Sequence, residues 1–218
     1  MPVIDVIIQH HPSRAELVKR LTREVPGTRL IEDTGAGLNP WRGYRLCLEA
    51  IPLRVSHACI LQDDVLVCKN FLPALERIAD ANPDIPVSLF LSRQPKRTFN
   101  QASLKYGKTR YVLTHPQDLV HVVAILWPVE KAREFLAWVD ENPRRLMGRT
   151  FHSDDATVTR WMRMTRQAIR CTVPSIVEHP DDVPSTVNQN RVRNGNDAGR
   201  VAGYWIGDGD PLELDWSK

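Results

Sequence analysis

The chain has 218 residues, a formal net charge of +3, 42% hydrophobic residues and 25% charged residues. These values are typical of a folded globular protein and differ clearly from those of disordered and membrane-embedded chains. One large domain fits this length, since a single core extends to roughly 250 residues before chains divide. The small net charge does not by itself indicate a nucleic-acid partner.

The first residues, "MPVIDVIIQHH", have neither a basic segment nor a long apolar segment, and no run of about 18 apolar residues occurs anywhere in the chain. The four cysteines lack the close spacing of metal ligands, and two of them lie in apolar runs where a buried, reduced thiol is common. We therefore expect a cytoplasmic protein with no membrane segment.

The first part of the chain alternates between strand and helix patterns. We predict strands over residues 3–9, 28–33 and 58–61, and helices over residues 11–27, 43–51 and 71–81. Ser13 and Glu16 have the spacing of a capping box at the start of the first helix. The short run "ACIL" at 58–61 is continuously apolar, which favours a central parallel strand covered on both sides.

The alternation continues in the second part. We predict strands over 86–92 and 120–127, an irregular segment or hairpin from 93 to about 118, a helix opened by Pro128, a helix over 151–166 with Ser153 as its N-cap, and a short strand near 169–172. The predicted fold class is therefore α/β, with a mainly parallel sheet flanked by helices. We place the domain at residues 1–188 and a tail, packed on it or partly disordered, at 189–218.

Two adjacent carboxylates, Asp63 and Asp64, directly follow the apolar run "ACIL". Ligands of open α/β sheets collect at the carboxyl ends of the strands, so this position suits a binding site. Neighbouring carboxylates repel each other, and a divalent cation, Mg²⁺ or Mn²⁺, is the simplest compensating charge. The alternative is an acidic turn with both side chains in water.

The stretch "ILQDDVLVCKNF" (60–71) resembles the metal-binding acidic motif of GT-A glycosyltransferases. Two later stretches, "FHSDDATVTRWM" (151–162) and "VPSIVEHPDDVPSTVN" (173–188), are similar to a later acidic element and to the closing segment of such enzymes. The resemblance covers roughly residues 3–188 and does not extend to the tail. Gln62 stands at the first position of the acidic motif, where the family has a carboxylate.

This resemblance implies a GT-A-like fold and transfer of a hexose from a nucleotide sugar, with a UDP-sugar favoured, to a hydroxyl acceptor. It implies that Asp64 and His179 bind Mn²⁺ or Mg²⁺, and that Gln62 and Asp63 lie against the donor. The metal would stabilise the negative charge that develops on the departing diphosphate. A solvated loop histidine is the alternative for His179.

Asp154 and Asp155, at the start of the predicted helix, are candidates for the general base that accepts the proton of the acceptor hydroxyl, with Asp155 favoured. Their alternative role is structural, since carboxylates in the first turn of a helix are stabilised by its dipole. That structural role requires only one of the two carboxylates.

The first two predicted strands should form the donor half of the site. His11 and Arg14 follow strand one, and Asp33 follows strand two, where a carboxylate would contact the base or ribose as in the family. Trp41 and Arg42 lie in the next loop and are candidates to stack on or clamp the donor. A core tryptophan beside a solvated arginine is the alternative.

The acceptor is the least determined part. The chain resembles small glycosyltransferases encoded by bacteriophages, some of which modify hydroxymethylated bases in double-stranded DNA. The candidate DNA-binding residues are basic: Lys96, Arg97, Lys105, Lys108 and Arg110. A solvated charged surface is the alternative for these side chains. The alternatives are a glycosyltransferase with a saccharide or protein acceptor, an inactive module that binds nucleotide sugars, and an accessory protein that binds nucleic acid.

Overall fold

The computed structural model describes residues 1–34, 39–93, 96–118, 120–143, 153–180 and 201–218. The helices are α1 (Ala15–Glu24), α2 (Pro40–Glu49), α3 (Phe71–Asp80), α4 (Lys96–Lys105), α5 (Val129–Glu141) and α6 (Asp154–Thr165). The strands are β1 (Ile4–His10), β2 (Arg29–Glu32), β3 (His57–Gln62), β4 (Leu66–Val67), β5 (Val87–Ser88), β6 (Tyr111–Leu113), β7 (Ala124–Pro128), β8 (Arg170–Thr172) and β9 (Val177–Glu178).

Among the described residues, seven strands form one sheet in the order β2-β1-β3-β7-β5-β8-β6. Strands β2, β1, β3, β5 and β8 share one direction, while β7 and β6 run the opposite way. Helices pack on both sides of this sheet. The predicted α/β fold class, with a mainly parallel sheet flanked by helices, is therefore confirmed.

The core lies on both sides of the sheet because strand residues alternate between them. Val6 and Ile8 of β1 pack into the cluster that contains α1 and α3. Ile7 and Ile60 pack into the other cluster, with α2, α5 and α6. Strand β3 is buried along its length up to Gln62, as its continuous apolar run predicts. The two clusters fix the position of the carboxyl end of β3.

The start of the first helix differs from the prediction. A 3-10 turn, Pro12–Arg14, precedes α1, and the N-cap of α1 is Arg14, without a side-chain cap. The predicted Ser13–Glu16 capping box is therefore wrong. The His11 ring accepts the Ser13 N–H instead, and this early cap starts the separate 3-10 turn.

The prediction of an irregular segment or hairpin over 93–118 is also wrong. Residues 96–105 form α4, and strand β6 follows it. Thr98 and Ala102 are the buried side chains of α4, and Asp118 Oδ2 accepts hydrogen bonds from the Thr98 N–H and hydroxyl. Only two of the ten residues of α4 are buried, so the apolar periodicity that would predict a helix is weak here.

Two predicted strands are shorter in the structure. The strand predicted over 86–92 is limited to β5, and the strand predicted over 120–127 begins only at Ala124. Pro128 is the last residue of β7 and the N-cap of α5, so the helix begins one residue later. Residues 120–123, which directly precede β7, are buried or half-buried but do not belong to the strand.

The last described segment, 201–218, packs against the sheet. Trp216 is buried and donates its indole N–H to Pro211 O, and Ala202 and Trp205 form single bridges to Ser92 and Ser175. Residues 189–200 of the predicted tail lie outside the described residues, so the boundary at 188 stays a prediction. Among the described residues, no helix is long and apolar enough to cross a membrane.

Candidate active site

The candidate site lies at the carboxyl ends of β1 and β3. The two strands are parallel neighbours, with Gln9 in register with Gln62, so they end at the same edge of the sheet. His10 ends β1 and His11 follows it there, and Asp63 and Asp64 follow β3. This is the edge where open α/β sheets bind ligands.

Asp63 is 4% exposed and is held by groups from the end of β1. Its Oδ2 accepts the main-chain N–H of His11 at 2.7 Å and lies 3.5 Å from His10 Nδ1. Its Oδ1 accepts a hydrogen bond from Arg14 Nη1 at 2.7 Å. The carboxylate therefore ties the turn after β1 to the turn after β3.

Asp64 is 3% exposed and lies between two basic side chains. Its Oδ2 is 2.7 Å from Arg14 Nη1 and 3.1 Å from His179 Nε2. Burial by itself raises the pKa of Asp64, but the hydrogen bond and charge of His179 and the charge of Arg14 outweigh burial and lower it to about 2. Asp64 is thus strongly held in its charged form.

The short second sheet explains why His179 meets Asp64. Strand β4, two residues after Asp64, pairs antiparallel with β9, which ends just before His179. The Glu178 carboxylate also accepts the main-chain N–H groups of His179 and Ala202. The C-terminal segment therefore helps to fix the strand end that carries His179.

These contacts rule out the solvated acidic turn, because both carboxylates are buried and ion-paired. The positive charge between them is supplied by Arg14, whose Nη1 contacts both Asp63 and Asp64. The sequence analysis assigned Arg14 to donor binding. It assigned the positive charge that compensates Asp63 and Asp64 to a metal ion alone. The arginine was not assigned this role because it lies 49 positions before Asp63.

A divalent cation such as Mg²⁺ or Mn²⁺ needs several ligand atoms that meet at one point. Among the described residues, no group of three or more His, Cys, Asp or Glu side chains has the arrangement of a metal site. However, Asp64 Oδ1 and His179 Nδ1 are buried and lack a hydrogen-bond partner in the described part of the chain. Two ligands with an open carboxylate oxygen suit a cation that takes its remaining ligands from a diphosphate and water.

The start of α6 brings a second acidic pair to the same edge. The Ser153 hydroxyl accepts the Ala156 N–H at 3.2 Å, so the predicted N-cap is confirmed. Asp154 is 5% exposed, and its Oδ2 accepts a hydrogen bond from Gln62 Nε2 at 3.3 Å. Burial and the neighbouring Asp155 charge raise the pKa of Asp154 to about 7.

Asp155 is more accessible, with 29% of its side chain exposed. Its Oδ1 accepts the Val122 N–H at 2.8 Å, and its Oδ2 lies 3.6 Å from His121 Nδ1. Sequence reasoning missed His121, because "VHVV" was assigned to the start of the strand predicted over 120–127. The only sign of His121 in the sequence was that it is a polar residue within an apolar run.

Of the other residues predicted to bind the donor, two form an ion pair and one lies in the core. Arg42 Nε and Nη2 lie 2.8 Å and 2.7 Å from Asp33 Oδ1, so these two side chains form one unit at the end of β2. A Cβ added at position 43 would lie 3.3 Å from the Asp33 side chain. Glycine at this position therefore lets α2 lie close to Asp33. Trp41 is buried against Tyr44 and Phe135, which excludes the proposed stacking on the donor.

The five basic acceptor candidates lie on or after α4. Lys96, Arg97, Lys105 and Lys108 are exposed, and Arg110 is half-buried, with its N–H donating to Lys218 O. Lys96 and Lys105 are separated by about two and a half helical turns and therefore point to opposite sides of α4. The sequence has a further group of basic residues within 142–152, which falls almost entirely outside the described residues, as does the closing segment after Pro180.

Comparisons with known proteins give similarity at the level of solved structures. No family model matches the sequence, and no curated protein matches it. The chain is similar to mouse xyloside xylosyltransferase 1 in its apo form, with 14% identity over 76% of this chain and 70% of that chain and a TM-score of 0.42. It is also similar to a glycosyltransferase involved in the glycosylation of the major capsid of PBCV-1, with 14% identity over 67% and 71% of the two chains and a TM-score of 0.28.

Proposed function

We propose that this protein is a glycosyltransferase that moves a hexose from a nucleotide sugar, with a UDP-sugar favoured, to a hydroxyl acceptor. One observation carries the proposal: two acidic pairs, 63–64 and 154–155, meet at the carboxyl edge of one sheet through the contact of Gln62 with Asp154. One pair is compensated by basic side chains, while the other holds a carboxyl group whose pKa is raised. Donor activation and proton transfer need such different environments.

The donor half is assigned to the ends of β1, β2 and β3. Arg14 would contact the diphosphate, because it lies beside Asp63 and Asp64 at this end of the sheet and a guanidinium forms charge-assisted hydrogen bonds with phosphate. The linked pair Asp33 and Arg42 would contact the base or ribose. Gln62 and Asp63 would lie against the ribose or sugar, and the turn at His11 would close this side.

Asp64 and His179 are the residues proposed to hold Mn²⁺ or Mg²⁺, on the support of their 3.1 Å separation and the buried, unpaired Asp64 Oδ1 in the described chain. A bound divalent cation acts as a Lewis acid on the diphosphate leaving group. Arg14 contacts Asp64 Oδ2, so it would have to move toward the phosphates when a donor binds.

The acceptor half is assigned to the start of α6. Asp154 is nearly fully buried, and burial and the Asp155 charge raise its pKa, so it is poorly placed to meet an acceptor and take up its proton. Asp155 is the more accessible carboxylate and is proposed to serve the proton transfer. A hydroxymethylated base in double-stranded DNA is a candidate acceptor because the side chains of Lys96, Arg97, Lys105 and Lys108 are exposed. A saccharide or protein acceptor is the alternative.

Titration calorimetry of UDP-glucose, with and without Mn²⁺, tests the donor assignment. We expect binding that strengthens at least tenfold with Mn²⁺, together with slow hydrolysis of the donor. Binding without hydrolysis or transfer would indicate an inactive nucleotide-sugar-binding module. Absence of binding to every nucleotide sugar in a panel would contradict the proposal and favour an accessory protein. Mass spectrometry of nucleosides and saccharides incubated with the panel then identifies the acceptor.

A further inference from the structure

We propose that Glu178 positions the metal ligand His179, and that residues 201–206 of the C-terminal segment hold Glu178 in place for this role. This inference rests on the proposed glycosyl transfer and extends its metal site beyond the ligands themselves. It is carried by one carboxylate oxygen, Glu178 Oε1, which accepts the main-chain N–H of His179 at 2.8 Å and that of Ala202 at 2.7 Å.

The imidazole of His179 lacks the support that a metal-binding histidine usually has. Such a ring donates the N–H of its second nitrogen to a carboxylate, a carbonyl or water, and this contact fixes its direction. In His179, Nε2 lies 3.1 Å from Asp64 Oδ2, while Nδ1 is buried and has no hydrogen-bond partner among the described residues. The direction of the ring therefore depends on how the main chain at this position is held.

The side chains of Glu178 and His179 make separate contacts at the end of β9. Neighbouring residues of a strand point to opposite faces. The His179 ring accordingly lies against Asp64, while the Glu178 carboxylate lies against the Ala202 N–H. The main chain of Glu178 is fixed by its pairing with Leu66 of β4. This arrangement makes Glu178 a support for the ligand and not a second ligand.

Both N–H groups that Glu178 accepts belong to buried residues, since His179 is 5% exposed and Ala202 is 7% exposed. A buried N–H without a partner is unfavourable, so loss of the carboxylate would leave two such groups and allow the main chain to rearrange at both positions. Hydrogen bonds to an ionised carboxylate are also stronger than those to a neutral group. One side chain thus joins the strand end of His179 to the C-terminal segment.

This stretch of the C-terminal segment is itself anchored to the rest of the domain. The Gly203 N–H donates to Leu91 O at 2.8 Å, and the Ser175 N–H donates to Tyr204 O at 2.7 Å. The Tyr204 ring stacks on Phe99 of α4, with 5.2 Å between ring centroids. Because the segment is held at these points, it presents a fixed N–H to the Glu178 carboxylate.

The affinity for Mn²⁺, measured by electron paramagnetic resonance, tests the role of Glu178. In Glu178→Ala we expect this affinity to fall by about ten- to hundredfold, as for loss of an outer partner of a metal ligand. Binding of UDP in the presence of EDTA should not change, because the proposed donor contacts lie at the ends of β1, β2 and β3. Glu178→Gln should keep most of the Mn²⁺ affinity, since its amide oxygen accepts the same two N–H groups.

The control is Glu213→Ala, which removes an exposed carboxylate of the same segment and should bind Mn²⁺ as the parent does. Thermal denaturation of each variant separates a general loss of stability from a loss of metal affinity. A folded Glu178→Ala variant with the parent's affinity would overturn the positioning role. Glu178→Gln as weak as Glu178→Ala would also overturn it, because that result would indicate a carboxylate ligand.

Gly203→Ala tests the segment without changing Glu178. A Cβ at position 203 would lie 2.2 Å from the Phe99 ring, so the contact between the segment and α4 has to shift. The Mn²⁺ affinity should fall in this variant and recover when Phe99→Leu is added, because the smaller side chain leaves room for the methyl group. A Gly203→Ala variant that loses thermal stability but keeps the parent's affinity would overturn the role of the segment.

The parent protein separates this inference from the proposed function. A parent that binds neither Mn²⁺ nor any nucleotide sugar would overturn both. A parent whose donor binding depends on Mn²⁺, together with Glu178 variants that bind Mn²⁺ as tightly as the parent, would overturn this inference alone.

Discussion

Arg14 Nη1 lies 2.7 Å from Asp64 Oδ2 in a buried ion pair, and the same nitrogen lies 2.7 Å from Asp63 Oδ1. One guanidinium thus pairs with both of two adjacent buried carboxylates. Removing one partner of a buried pair leaves an uncompensated charge, which costs roughly 3–5 kcal/mol. Arg14 is therefore expected to contribute to stability as well as to donor binding. Variants of Asp63 and Asp64 need a measurement of folding in addition to the assay of transfer.

Asp64→Asn should reduce transfer by at least about 10²-fold, because a neutral amide is a poor ligand for a hard divalent cation. The fold should remain, since the amide oxygen still accepts a hydrogen bond from Arg14. Mn²⁺ binding is measured by electron paramagnetic resonance and folding by thermal denaturation. Asp84→Asn, an exposed carboxylate between α3 and β5, is the control. Activity within tenfold of the parent would remove Asp64 from the metal role.

Asp33→Ala should weaken donor binding by about tenfold while the rate at saturating donor changes little, since the proposed metal ligands lie elsewhere. Because Asp33 and Arg42 are ion-paired, Arg42→Ala should give a similar loss of affinity, and the double variant should lose little more. Calorimetry with UDP and steady-state kinetics measure the two quantities. A large loss of rate at unchanged donor affinity would count against the assignment.

Asp154→Asn should change how stability depends on pH. Burial and the Asp155 charge raise the pKa of Asp154 to about 7, so the folded chain binds this proton more tightly than the unfolded chain does. The free energy of unfolding of the parent should therefore fall as the pH rises from about 4 to about 7, by at most about 1.4 kcal/mol per unit. The variant has no such proton to lose, so the contribution of Asp154 to this fall should be absent.

Urea denaturation at pH 5 and pH 8 measures this difference, and the gain in stability from Asp154→Asn should be larger at pH 8. Glu130→Gln, an exposed carboxylate of α5, should show the same pH dependence as the parent. Equal effects of Asp154→Asn at both pH values would show that the carboxyl group is ionised throughout.

The combined change Lys96→Gln, Arg97→Gln and Lys105→Gln tests the DNA acceptor. If these side chains neutralise phosphates, each lost contact should flatten the salt dependence of DNA binding by roughly one unit of slope. Transfer to hydroxymethylated DNA should then fall steeply, while donor hydrolysis by water stays near the parent value. Glu76→Gln and Glu134→Gln, exposed on other helices, form the control. An unchanged salt slope, or no transfer to DNA by the parent, would favour a saccharide or protein acceptor.

The sequence by itself determined the features that depend on local pattern. The apolar run before Asp63 predicts a strand buried on both sides, and its end places the acidic pair at the ligand-binding edge. Ser153 predicts the start of α6 because a hydroxyl cap acts within one turn of its helix. These predictions need only the spacing of neighbouring residues, so a single sequence carries them.

Only the tertiary structure decided what surrounds the carboxylates. His179 meets Asp64 because β4 pairs with β9, and His121 faces Asp155 because α6 packs beside the segment before β7. Arg14 reaches both carboxylates because β1 and β3 are parallel neighbours that end in register. Contacts between residues far apart in the chain are set by strand order and packing, and no local periodicity encodes them.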